Sequence, residues 1–247
     1  MTADRLQAVL WDLDGTLIDS QPLWDEAFRS CCRALGGRPT PEAVAAIRGV
    51  SIRRVHELIA ATGATSGPED PATAQVFAAM AADVGAAVRA DPPLLPGARE
   101  ATSAAAGAGL VQVIVTQSPR GIVEAVAHAL GDVFAALVTG DDVASGKPSP
   151  APYAAAVQRL GLGPRECVVV EDSAAGVASA RSNDLRVIQV GGTKVFPADP
   201  GITVVGDLTA VVPYLSPGSA PRGAVGEPLI QPRRALNPEP APRGATG

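Results

Sequence analysis

Six short apolar, β-branched runs punctuate the chain, over residues 8–13, 111–115, 136–139, 167–171, 187–190 and 202–205, and helix-like stretches fill the intervals between most of them. Runs that stay apolar without alternating belong to strands covered on both faces, and strands that alternate with amphipathic helices assemble into a parallel sheet. The fold class this implies is α/β, a doubly wound parallel sheet with helices on both faces. One interval does not fit an ordinary crossover. Residues 19–92 carry helical patterning in at least three places, opening at Pro22-Leu23-Trp24-Asp25-Glu26-Ala27-Phe28 and recurring around Val55-His56-Glu57-Leu58-Ile59 and Val76-Phe77-Ala78-Ala79-Met80. A segment that long between two neighbouring strands predicts an inserted α-helical cap domain. Pro92-Pro93 and Pro96-Gly97 mark its exit. The expected organisation is therefore a core of residues 1–18 and 93–215, a cap of 19–92, and a tail of 216–247. The tail is rich in Pro, Gly and Arg and lacks apolar periodicity, so it is expected to be disordered.

The 247 residues suffice to bury a core and still carry an insertion. A net charge of −5 excludes a general nucleic-acid binder, which needs clustered Lys and Arg. The three cysteines, two of them adjacent (Cys31, Cys32), give neither a disulfide framework nor a metal-ligand spacing, which points to a reducing compartment. The apolar segment 8–11 is too short for a signal sequence and no later stretch reads as a membrane span, so cytoplasmic residence and no membrane partner are expected.

Chemistry-bearing residues collect where the strands end. Asp12 and Asp14 close the first run in Trp11-Asp12-Leu13-Asp14-Gly15-Thr16, and residues two apart in extended backbone point the same way. Open α/β sheets place ligands at this end of the strands. The competing reading is a common Asp/Gly turn. The second run ends in Thr116-Gln117-Ser118, hydroxyls and free backbone donors at a helix N-terminus suited to phosphate, or else an ordinary N-cap. After the third comes Ser145-Gly146-Lys147-Pro148, whose Lys147 can neutralise phosphate oxygens or stand as a solvated surface lysine. The fourth runs into Glu171-Asp172-Ser173. Two acids at the end of a buried strand call for a hard cation, unless Asp172 merely caps the next helix.

Taken in order, Asp12-Leu13-Asp14-Gly15-Thr16, Thr116, Lys147 and Glu171-Asp172 resemble the four motifs of the haloacid-dehalogenase-like hydrolase superfamily. The resemblance spans about residues 8–215, and the helical insert resembles the cap of the branch holding β-phosphoglucomutase and small sugar phosphatases. It implies a Rossmann-like core and a magnesium-dependent phosphatase of small phosphorylated metabolites, sugar or polyol phosphates among them. By the same resemblance Asp12 is the nucleophile that forms an aspartyl phosphate, and Asp14 is the general acid and base. Thr116 and Lys147 hold the phosphoryl oxygens. Mg²⁺ is bound by the Asp12 side chain, the Asp14 backbone carbonyl and Asp172, with Glu171 direct or through water. Dehalogenases of the superfamily lack the second carboxylate, and its presence as Asp14 argues against that chemistry.

The alternative within the branch is a hexose-phosphate mutase. Where the mutases carry a cap histidine, this chain has Trp24. In Arg48-Gly49-Val50-Ser51-Ile52-Arg53, which is similar to the mutase substrate loop, Ile52 occupies the place of its phosphate-binding arginine. Both departures favour hydrolysis. Ser118, Trp24, Arg48, Gly49 and Arg53 (or Arg54 in its stead) are the expected substrate contacts. The competing reading makes Trp24 cap core and the arginines a solvated face.

Overall fold

The computed structural model describes residues 5–191 and 199–216. Its sheet has six parallel strands, β1 (Ala8–Trp11), β2 (Val111–Val115), β3 (Ala136–Val138), β4 (Cys167–Glu171), β5 (Arg186–Val190) and β6 (Ile202–Val205), in the order β3-β2-β1-β4-β5-β6. This is the Rossmann order. The chain works outward from β1 to β3 and then returns beside β1 as β4, so the crevice at the carboxyl ends of β1 and β4 is the topological switch point.

The strands are apolar on both faces because both faces are covered. Val9, Trp11, Ile114, Val168 and Val170 pack into one core with residues of α5 (Ala98–Gly107) and α6 (Arg120–Ala129). Ala8, Leu10, Val113, Val115 and Val169 form the second core with Tyr153 and Ala156 of α7 (Ala151–Leu160) and Val177 and Ala180 of α8 (Ala174–Arg181). Each fully buried Val or Leu contributes about 1.5–3 kcal/mol, and alanines facing the sheet let the helices approach closely enough to collect it.

Five helices separate β1 from β2: ahead of α5 come α1 (Gln21–Ala34), α2 (Pro41–Ala45), α3 (Ile52–Ala61) and α4 (Pro71–Ala90). Short α2 has no counterpart among the three helical stretches read from the sequence. Five residues cannot display a period, but Thr40 caps it by accepting from the Ala43 amide and Pro41 fits its first turn. The outgoing and returning segments pair with one another. Asp19 N–H donates to Pro93 O at 2.8 Å, Leu95 N–H donates to Leu17 O at 2.9 Å, and Ile18 bridges Leu94.

Two expectations need correction. α4, at 20 residues and a mean hydropathy of 1.2, is long and apolar enough to cross a membrane by length and composition. Its apolarity comes from alanines and from Val76, Met80, Val84 and Val88, which are buried in the first core where α4 meets α1, α3 and α6. β1 also ends at Trp11 rather than running to Leu13: Asp12 still donates its N–H to Val170 O at 3.0 Å, and the turn follows at residues 15–17. The expected tail lies outside the described residues, Ser216 excepted.

Candidate active site

Asp12 leaves β1 with its side chain buried and its carboxylate against Lys147, whose Nζ donates to Asp12 Oδ1 at 2.5 Å, to Glu171 Oε1 at 2.7 Å and to Val115 O at 2.9 Å. Lys147 is 6% exposed and not a surface lysine. Burial alone works against its charge, but the Asp12 and Glu171 carboxylates outweigh that and push its pKa up. Burial first, and the Glu171 charge second, push Asp12 well above the usual carboxylate range, with Lys147 pulling the other way.

Glu171 is fully buried and fully engaged. Oε1 accepts from Lys147 and from Tyr153 Oη at 3.0 Å, and Oε2 accepts from the Ser173 amide and hydroxyl at 2.9 Å each. A Cβ at Gly176 would collide with this carboxylate, so α8 can start here only with a glycine in its first turn. The Tyr153 ring also lies 5.0 Å from Lys147 Nζ, in cation–π range.

Asp14 faces the same crevice through a different set of contacts. Its carboxylate accepts from Ser20 Oγ at 2.5 Å, Thr116 Oγ1 at 3.1 Å and Ser118 Oγ at 2.6 Å. Asp12 and Asp14, two residues apart just past the end of β1, both line the crevice. Gly15 makes the turn at φ +89°, where a side chain would be strained and would press into the Asp172 carboxylate.

Helix α8 is capped by Ser173, which accepts from the Gly176 amide at 3.0 Å, leaving Asp172 to the crevice. α6 begins at Arg120, after Pro119 and without a side-chain cap from it, and the Thr116 and Ser118 hydroxyls go to Asp14 instead.

Asp12, Glu171 and Asp172 each present an oxygen within 4.8 Å of the others. Burial, then the Glu171 charge, push Asp172 up to about 6. Three carboxylates against one ammonium leave the cluster short of positive charge, and its donors are hard oxygens, so the residues present fit a divalent cation of the Mg²⁺ kind. Glu171, with both oxygens committed, is the least free of the three to bind one directly.

The opposite wall of the crevice comes from the inserted helices. Trp24, Arg48 and Gly49 line it, as expected from the sequence. Trp24 stacks on Phe77, ring centroids 6.1 Å apart and planes 12° from parallel. Arg48 donates to Asp25 Oδ2 at 2.9 Å, and Asp25 also accepts from Gln21 Nε2 at 2.6 Å. Arg53 is not brought to the crevice: its side chain is 84% exposed and pairs with Glu57 one turn on along α3, and Arg54 pairs with the same Glu57. Helical geometry turns both arginines outward, while Ile52 and Val55 face in.

Sequence reasoning missed Ser20, Asp25, Phe77, Tyr153 and the anchoring role of Ser173. Only Ser20 carried a local signal, and a misleading one. A Ser ahead of a Pro-led helix reads as an N-cap, yet its hydroxyl makes no cap bond and goes to Asp14.

A family model of haloacid dehalogenase-like hydrolases matches residues 6–184. The protein CbbY of Rhodobacter capsulatus is 33% identical over 195 residues, covering 74% of this chain and 85% of that protein. Hexitol phosphatase B of Escherichia coli (strain K12) is 32% identical over 196 residues, 76% of this chain and 85% of that one. Among solved structures, a variant of CbbY from Rhodobacter sphaeroides in complex with xylulose-(1,5)bisphosphate superposes with a TM-score of 0.71 at 25% identity, over 83% of this chain and 96% of that one.

Proposed function

The chain belongs to the haloacid dehalogenase-like hydrolase family, and on that premise we propose that it is a Mg²⁺-dependent phosphatase of small phosphate monoesters, working through an aspartyl phosphate. One observation carries the reading: Asp12, clamped by Lys147, and Asp14, held by three hydroxyls, open into one crevice at the switch point of the sheet.

In the first step an Asp12 carboxylate oxygen bonds to phosphorus, the ester P–O bond breaks, and Asp14 gives its proton to the leaving oxygen. In the second, Asp14 takes a proton from water as the water oxygen bonds to phosphorus. The bond to Asp12 then breaks, releasing inorganic phosphate and restoring both side chains. Lys147 keeps Asp12 oriented and offsets charge on the phosphoryl oxygens. Thr116 and Ser118 set the position of Asp14 and border the phosphate. Asp12, Asp172 and the Asp14 carbonyl would hold the cation, with Glu171 contributing directly or through water and by holding Lys147. When bound, the cation supplies charge stabilisation for the transferring phosphoryl group. Residues 19–92 act as the cap over this chemistry, and the name of the Escherichia coli relative supports a phosphorylated sugar or polyol as substrate. A reducing, cytoplasmic setting is part of the reading, supported by free thiols at Cys31, Cys32 and Cys167.

Phosphate release from sugar, polyol and glycolate phosphates is the test. Asp12→Asn is expected to lose on the order of 10⁴-fold in kcat, and chelation should abolish wild-type turnover until Mg²⁺ is restored. Equal rates for Asp12→Asn and wild type would sink the proposal. The mutase alternative is disfavoured by Trp24, which stands in the wall where that branch carries a histidine.

A further inference from the structure

The loops that follow β2 and β3 carry different halves of the machinery. Thr116 and Ser118, just past β2, hold Asp14 by their hydroxyls, and Lys147, farther along the loop after β3, clamps Asp12. The two halves are not equally secured. The Lys147 ammonium is fixed where it works, by Asp12, Glu171 and Val115 O. Among the described residues the Ser118 hydroxyl bonds to Asp14 alone, so its place depends on how the backbone around it is held. That backbone is held by the β3 loop. Gly140 N–H donates to Ser118 O at 3.2 Å. A Cβ at Gly140 would collide with Gln117 O, and one at Gly146 with Gln117 Oε1, so Gln117 is keyed against two glycines of the neighbouring loop.

The firmest grip is on Arg120, two residues beyond Ser118 and the first of α6. Asp141 Oδ2 accepts from the Arg120 amide at 2.9 Å, supplying from the other loop the partner that α6 lacks at its own start. Arg120 Nη2 donates to both oxygens of Asp142, at 2.8 and 2.7 Å. Asp142 is in turn rooted at the end of β3. Its Oδ2 accepts from the Thr139 amide and hydroxyl at 2.8 Å each, and its Oδ1 accepts from Arg159 Nη2 of α7 at 3.2 Å. Burial works against the Asp142 charge, but the Thr139 donors and the two arginines outweigh it and hold its pKa at about 2. The pair with Arg120 is therefore charged at neutral pH. Neither Arg120 nor Asp142 lines the crevice.

We propose that Arg120 and Asp142 are positioning residues for the acid/base: their pairing sets the Thr116–Ser118 loop against the β3 loop, and so sets where Asp14 stands relative to the Asp12–Lys147 clamp. This rests on the phosphatase reading, in which Asp14 gives its proton to the leaving oxygen. Lys147 keeps its own three bonds when Arg120 is loosened, so the nucleophile stays in place and the displacement falls on Asp14. Esters whose leaving group needs that proton lose turnover, and those whose leaving group departs without it are spared.

The test compares kcat/KM with Mg²⁺ for 4-nitrophenyl phosphate, whose phenolate leaves unprotonated, and for the fastest of glucose 6-phosphate, mannitol 1-phosphate and phosphoglycolate, whose alkoxides need the proton. This ratio reports the steps through departure of the leaving group. Arg120→Met should lower it roughly tenfold for the alkyl ester and about twofold for the aryl ester. Asp142→Asn, nearly the same in shape, should reproduce that pattern, and the double variant should lose no more than either alone. Arg159→Met removes another bond to Asp142 but leaves the grip on Arg120, and should turn over both esters as the wild type does. Thermal melts establish that each variant is folded, and Asp142→Asn carries the test if Arg120→Met is not. Unchanged rates in the variants of the pair, equal losses for the two esters, or a loss in Arg159→Met that matches theirs overturns the inference and leaves the phosphatase reading intact. No phosphate release by the wild type from any of the four esters overturns both.

Discussion

Among the described residues, Lys147 and Arg48 are the two lining cations of the crevice, one on each wall, and each is paired with carboxylate. Their surroundings differ. Lys147 is 3% exposed in its side chain and sits between Asp12 and Glu171, whose side chains are 9% and 0% exposed. Arg48 is 58% exposed and reaches inward to a single carboxylate. On the sheet side the charges are out of water, so each is worth a great deal and none can be removed alone. On the helical side the cation keeps most of its hydration, so the pair can be altered at small cost. A wall of the first kind suits fixed chemistry, and one of the second kind suits a specificity that varies between relatives.

Removing each cation tests that difference directly. Lys147→Met leaves two buried carboxylates without their ammonium and is expected to cost about 3–5 kcal/mol of folding stability. Loss of the clamp on Asp12 should also lower phosphate release by on the order of 10²–10³-fold. Arg48→Met should cost about 0–1 kcal/mol. Urea denaturation of the two variants alongside wild type gives the comparison, and similar losses in both would erase the distinction between the walls.

A smaller effect, and one of opposite sign with and without metal, is expected from pH. Burial and the Glu171 charge push Asp172 up to about 6 from its ordinary 3.8. Through the window between those values the folded protein keeps a proton that the unfolded chain has given up. Stability in chelator should therefore fall as pH rises across it, by about 1–3 kcal/mol, with Asp12 adding in the same direction. Mg²⁺ binds the ionised form, so excess Mg²⁺ should cancel the fall, and its affinity should climb over the same window. Thermal melts from pH 4.5 to 7, with and without Mg²⁺, read this out. Asp172→Asn should flatten the slope in chelator, and an unchanged slope would mean that Asp172 is not the group responsible.

The two walls also differed in how far the sequence revealed them. The parallel sheet and its strand positions followed from apolar runs that had to be covered on both faces, and the residues at the strand ends sit within a few positions of those runs, so Asp12, Asp14, Thr116, Lys147 and Asp172 were readable as neighbours in space. The helical wall offered no such anchor. Which arginine of Arg48, Arg53 and Arg54 faces the crevice depends on where α3 begins, and that is set by Ser51 accepting from the Arg54 amide at 3.3 Å. Asp25 and Phe77 each depend on a partner on another helix or loop, Arg48 and Trp24 respectively. A single chain read in order does not show pairings of that kind.

Tyr153 shows the same limit inside the better-read wall, and it supplies the mildest test. Nothing near it in sequence pairs it with Glu171, 18 residues on, yet its hydroxyl donates to Oε1 at 3.0 Å. Burial, then the Glu171 charge, push that hydroxyl well above its usual pKa, which keeps it a donor. Tyr153→Phe removes this one bond and leaves the ring beneath Lys147, so Glu171 Oε1 keeps the ammonium while Oε2 keeps both Ser173 donors. The expected cost is about 1–2 kcal/mol in stability, with kcat lowered roughly threefold and KM unchanged. A loss matching that of Lys147→Met would mean that the buried charges behave as one indivisible network. A loss near zero would mean that Lys147 and Ser173 suffice to hold Glu171, and that Tyr153 serves the wall through its ring alone.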